Sequence, residues 1–167
     1  MGKRMVHLEL FTVCSRIGQD SFGNPDLYGI FNNIGVQNIP AVHEFWSFAS
    51  VREDEHQEEK RIPYEFKIRL LKIFPDPEQE IVSGSWQPIA ITPGSRGANI
   101  RTKMRIRFDS PGEYRLEFSV RQQGETMEIK TLGYSSVFRV ITNSELVGAE
   151  TAPATRFLSQ NQKVVGT

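Results

Sequence analysis

The chain has 167 residues, 38% of them hydrophobic, and its 20 Lys and Arg balance 20 Asp and Glu. That is the length of one ordinary domain, able to bury a core without metal or disulfides, and zero net charge excludes a chain that coats nucleic acid or membrane through bulk charge. The single cysteine, Cys14, excludes an intrachain disulfide and any cysteine-built zinc or iron–sulfur cluster.

Basic residues open the chain at Met1-Gly2-Lys3-Arg4, but His7 and Glu9 interrupt the apolar stretch after them and no small-x-small cleavage site appears. This argues against a signal peptide. No run of about 18 apolar residues occurs, so no membrane-spanning helix is expected, and a cytoplasmic location is the default.

Period-two alternation dominates the chain. Residues 5–14 are apolar on both faces apart from His7 and Glu9, which predicts a strand covered on both sides. Residues 15–26 hold Gly18, Gly23, Asn24 and Pro25 and read as a loop. Residues 27–31 predict a short strand, and Asn32-Asn33-Ile34-Gly35 a turn. After Pro40, residues 45–51 predict an apolar strand containing Trp46 and Phe48. Residues 52–60 are a charged break. Tyr64, Phe66, Ile68 and Leu70 then alternate with Glu65, Lys67 and Arg69, as in a half-buried strand. Residues 81–91 predict a weaker strand, because Gly84 and Pro88 suggest a bulge or an edge.

The clearest alternation lies over residues 100–121. Ile100, Met104, Ile106 and Phe108 alternate with Arg101, Lys103, Arg105 and Arg107. Asp109-Ser110-Pro111-Gly112 predicts a turn, after which Tyr114, Leu116, Phe118 and Val120 alternate with Arg115, Glu117, Ser119 and Arg121. Residues 126–132 and 134–142 predict the last two strands. Tyr64, Phe66, Ile68, Met104, Ile106, Phe108, Tyr114, Leu116, Phe118 and Val120 form the expected core.

Eight or nine short strands, no βαβ pattern and no sustained helical periodicity predict an all-β fold. The economical form is a two-sheet antiparallel β-sandwich, immunoglobulin-like or C2-like. A closed barrel is the alternative. From Asn143 the apolar pattern thins, so the expected organisation is a sandwich over residues 1–142 and a flexible or partner-docked C-terminal tail over 143–167.

Two stretches carry a family resemblance. One is Leu27-Tyr28-Gly29-Ile30-Phe31-Asn32-Asn33-Ile34, leading through Pro40-Ala41-Val42-His43 into an aromatic strand. The other is Ser110-Pro111-Gly112-Glu113-Tyr114-Arg115-Leu116. Together they resemble a family of small uncharacterised bacterial β-sandwich proteins, a domain of unknown function. The resemblance implies the fold and brings no catalytic or ligand residues.

Local chemistry is sparse. His7, His43 and His56 fall in no HxH, HxxxH or HExxH spacing, so no metal or other cofactor is expected. Cys14 with His7 or His43 could form a nucleophilic pair, but a cysteine in an apolar strand ordinarily behaves as a small buried hydrophobe. Tyr114, just after a Gly-containing turn, reads as a corner tyrosine rather than a catalytic one. Gly94-Ser95-Arg96-Gly97 matches no phosphate loop. The acidic groups Glu53, Asp54, Glu55, Glu58, Glu59 and Asp76, Glu78, Glu80 invite comparison with calcium-binding loops. They lack Asp-x-Asp spacing and read as solvated charge.

One feature is unusual. If Asp109–Glu113 closes a hairpin, Arg107 faces Arg115 and Arg101 faces Arg121, which is unfavourable across a sheet. Arg101, Lys103, Arg105, Arg107, Arg115 and Arg121 would then crowd one face with few acids and no interleaved aromatics. The plain account is that Glu65 and other acids neutralise it; the functional account is an anionic partner.

The expected function is a non-enzymatic binding or assembly module that recognises another macromolecule, a protein with an acidic surface before nucleic acid, and no membrane. Homo-oligomerisation is compatible with it. The alternatives are a structural component of a phage or secretion assembly, and an enzyme whose site is built from distant residues.

Overall fold

The computed structural model describes residues 6–53, 63–92, 95–126, 128 and 135–145. They form a two-sheet β-sandwich of ten strands: β1 (Val6–Gln19), β2 (Pro25–Ile30), β3 (Asn33–Val36), β4 (Ala41–Glu53), β5 (Tyr64–Phe74), β6 (Gln79–Ser83), β7 (Gln87–Ile89), β8 (Gly97–Phe108), β9 (Gly112–Gln122) and β10 (Ser135–Thr142). One sheet has the order β2-β1-β4-β8. The other runs β3-β10-β9-β5-β6, with β7 also paired to β5.

All pairings are antiparallel except that of β3 with β10. That exception corrects the expected turn at residues 32–35. Asn33–Val36 is a strand, with Ile34 and Val36 buried and Asn33 and Gly35 exposed. Four residues with polar neighbours read as a turn in isolation; pairing to the long partner β10 is what makes them a strand.

The alternating segments place their apolar residues between the sheets. Phe108, Leu116 and Val120 are fully buried, and Tyr64, Ile68, Met104, Ile106, Tyr114 and Phe118 are buried with them. Phe66 is half-buried and packs on the same cluster. Rings fill one end of the core: Phe108 meets Tyr114 edge-on at 4.9 Å, and Phe138 packs against Phe45 at 5.6 Å and Tyr114 at 6.0 Å. Such offset and edge-on pairs add to the burial term. The weak strand expected over 81–91 is two edge strands, β6 and β7, broken at 84–86, in keeping with Gly84 and Pro88.

The expected hairpin between β8 and β9 is the main correction. Among the described residues β8 pairs only with β4, and β9 lies in the other sheet between β5 and β10. Asp109-Ser110-Pro111 therefore carries the chain across the sandwich. The Tyr114 hydroxyl donates a 2.7 Å hydrogen bond to the Ser110 carbonyl, tying the crossing to the strand it enters and bearing out the corner reading. Tyr114→Phe keeps the ring packing and orphans that carbonyl, so it should cost about 0.5–1.5 kcal/mol in chemical denaturation.

The acidic run at 54–60, most of the strand expected over 126–132, and the tail from 146 onward lie outside the described residues. The last described residues, 143–145, form a single helical turn on which Glu145 accepts a hydrogen bond from the Thr142 N–H at 2.8 Å.

Candidate binding face

The six cations expected on one face divide between two. Arg115 and Arg121 belong to the outer face of the β9 sheet, while Arg101, Lys103, Arg105 and Arg107 stand on β8. The expected Arg107–Arg115 and Arg101–Arg121 pairs do not exist, because Arg115 lies opposite Leu71 and Val137, and Arg121 opposite Glu65.

On the β9 sheet the cations are neutralised in place. Arg121 pairs with Glu65 at 2.9 Å, and Arg69 with Glu117 at 2.8 Å. Arg115 reaches Glu117 at 2.9 Å and Glu78 at 2.7 Å. Lys67 meets Glu128 at 3.4 Å, and Arg139 meets Glu113 at 3.5 Å. Trp86 lies under both Arg121 and Lys67, with 4.1 and 4.7 Å to the ring centroid. Each named cation has a carboxylate, so this face is the plain, self-neutralised surface, Glu65 included as expected. Arg69, Arg115 and Arg121 are also drawn in, the Arg121 side chain being only 23% exposed, whereas Arg139 stays exposed.

The β8 row differs. Three of its four cations share two carboxylates: Glu44 reaches Lys103 at 3.0 Å and Arg105 at 3.8 Å, and Asp109 pairs with Arg107 at 2.7 Å. The Glu44 carboxyl is held below its usual range, first by the hydrogen bond and charge of Lys103, then by Arg105. Arg101 has no ion pair among the described residues. The Arg105 side chain is 74% exposed, in a setting where ion pairs contribute little and solvent screens them.

The neighbour of β8 is β4, and this changes the character of the face. Trp46 stands opposite Lys103 and Phe48 opposite Arg101. One strand further in, Cys14 stands opposite Trp46 and Thr12 opposite Phe48. Side chains paired across a sheet share a face, so the basic row borders aromatic residues after all. A β8–β9 hairpin conceals this by giving β8 the wrong neighbour. The alternation of Val42, Glu44, Trp46 and Phe48 is the available signal, but it identifies a face only once β4 is known to pair with β8. Cys14 and Phe48 are buried on this outer side, whereas Leu10, Ile30 and Val42 are exposed.

The residues considered for nucleophilic catalysis are not brought together. Cys14 faces outward with Trp46, while His43 lies opposite the inward Ile106 and packs against Phe45 and Phe31. His7 stands opposite Arg52 near the other end of β1, roughly 20 Å from Cys14 at strand rise. Burial pushes the Cys14 thiol up, and the backbone hydrogen bond to Arg16 offsets only part of that rise. The thiolate is the reactive form, so a colorimetric disulfide reagent at pH 8 should leave the native protein unmodified and titrate one thiol after denaturation. Among the described residues no three His, Cys, Asp or Glu side chains gather closely enough to hold a metal ion, and no helix is long and apolar enough to cross a membrane.

No curated protein matches the chain. A family model does match, from within β1 to beyond the end of β9, and it bears out the motif resemblance: over residues 9–129 the sequence is that of a family of unknown function (DUF6941), to which this chain belongs.

Proposed function

We propose that the protein is a non-catalytic recognition module that binds an acidic protein surface through the outer face of the β2-β1-β4-β8 sheet. The observation that carries this reading is the contrast between its two outer faces. One sheet pairs Lys67, Arg69, Arg115, Arg121 and Arg139 with carboxylates, whereas the other leaves Arg101, Lys103, Arg105 and Arg107 projecting with Glu44 and Asp109 between them. Charge on an edge strand guards it against pairing with its own kind, but a row of four cations beside two carboxylates also repels itself, and an anionic partner relieves that repulsion. Exposed Leu10, Ile30 and Val42 on the same face supply apolar area beside that charge, the mixture that protein interfaces use.

The test is capture from an extract of the native host by the immobilised protein, beside an Arg105→Glu/Arg107→Glu variant with an unchanged circular dichroism spectrum. A partner should be held by the wild type at 0.1 M salt and released at 1 M, as the Debye length shrinks from about 10 Å to about 3 Å. The variant should not hold it. Equal retention by both proteins, or retention at 1 M salt, would show that the row is solvated charge. Trp46 beside Lys103 also suits single-stranded nucleic acid, which stacks bases on aromatic rings; capture abolished by nuclease treatment would replace the protein reading with that one.

A further inference from the structure

The sandwich has four sheet edges, and three are blunted. β2 has six residues, begins at Pro25 and carries Gly29 at φ +60°. β3 has four residues. β6 and β7 have five and three, and Pro88 lies in β7. Short strands and prolines are the usual means of preventing edge-to-edge pairing. β8 has neither, and is guarded only by its charges, which repel strands of like sign: it is 12 residues long, contains no proline, and pairs with β4 from Gly97 to Phe108 without a shift in register. Nothing among the described residues pairs with its other side.

The ladder also fixes which backbone groups face outward. The Glu53 N–H donates to the Arg96 carbonyl at 2.8 Å, and these two residues continue the β4–β8 register by one step beyond Arg52 and Gly97. Hydrogen-bonded and non-hydrogen-bonded pairs alternate along an antiparallel ladder. Arg101, Lys103, Arg105 and Arg107 thus fall in non-hydrogen-bonded pairs with β4, and their own N–H and C=O groups point to the open edge. Each cation presents its charge on the outer face and its backbone groups to the open edge.

We propose that the β8 edge takes an extended acidic segment of another protein as an added antiparallel strand. This rests on the reading of the β8 row as a binding surface and specifies how the partner is held. Incoming residues opposite Arg101, Lys103, Arg105 and Arg107 form the hydrogen-bonded pairs and project onto the outer face, where carboxylates meet the cations. The residues between them turn inward, beside Ile100, Thr102, Met104 and Ile106. The recognised segment therefore alternates acidic and apolar residues. A second copy of β8 is the wrong occupant, because antiparallel self-pairing sets Arg and Lys against Arg and Lys; the charge makes the edge selective for a partner of opposite sign.

The test uses a peptide of alternating Glu and Val long enough to span Arg101 to Arg107. Its affinity for the full chain is followed by fluorescence anisotropy, with backbone amide shifts read by NMR. The peptide should bind and shift the amides of β8, and the Lys-for-Glu peptide should not. N-methylation at the Glu positions, whose N–H groups would face β8, should weaken binding about tenfold or more, while N-methylation at the Val positions should leave it within about twofold. These peptides probe strand pairing with the protein unaltered; Arg101→Glu/Arg105→Glu should weaken the parent peptide by a similar factor. If Glu-position methylation does no harm, strand addition is wrong and the charged-face reading survives. If no acidic peptide binds at low salt, strand addition is overturned, and capture by the intact face decides the broader reading separately.

Discussion

Phe118→Ala is expected to lower the unfolding free energy by about 3–5 kcal/mol, the range for an aromatic ring removed from a packed core. Phe118 is 1% exposed and lies at the middle of β9, opposite Ile68 of β5. Its ring stacks on Phe66 at 5.4 Å and 16°, and meets Phe11 of the other sheet at 5.4 Å and 40°. The substitution therefore removes contacts within one sheet and across the interface of both. Its neighbours are held by strand backbones that hydrogen bonds fix on either side, so they can close only part of the void. Denaturant unfolding should show a lower midpoint with an unchanged slope. A midpoint equal to that of the wild type would mean that Phe118 does not sit between the sheets.

The ease with which this position is recognised explains what the sequence reveals and what it conceals. Inward and outward assignment needs only the two-residue period of a strand, and each of the ten expected core residues lies in or against the core. The corner at Tyr114 is legible for a similar reason, since a turn and the strand after it are local. Strand partnership is not local. Arg101–Arg107 and Arg115–Arg121 do lie on outer faces, yet on different sheets, because alternation says which way a side chain points and nothing about which strand lies beside it. The same gap hides Trp46 and Phe48, whose alternation is visible but whose neighbour is not. β3 escapes the pattern for want of length: four residues hold too little alternation to outweigh two asparagines and a glycine, and the long-range partner β10 supplies the difference.

The largest of these departures rests on one glycine, and its replacement is the second strong prediction. Gly112→Ala should cost about 2–5 kcal/mol, summing backbone strain and overpacking. Gly112 has φ +145°, a region that side-chain-bearing residues rarely adopt. A Cβ there would collide with the carbonyl oxygen of Phe74 and press on the Lys72 Cε at 3.3 Å. The carbonyl belongs to β5, the strand paired with β9, so it cannot retreat without breaking the ladder. In a two-residue hairpin a glycine serves to reverse the chain; here it lets the chain leave β8, cross to the other sheet and start β9 against β5. The Tyr114 hydroxyl then anchors the crossing at Ser110. Because Gly112→Ala and Tyr114→Phe act on one short connection, their effects should not add. The double variant should lose less stability than the two singles combined, by about 0.5 kcal/mol or more. A double-mutant cycle with strict additivity would show that the glycine and the tyrosine support the crossing independently.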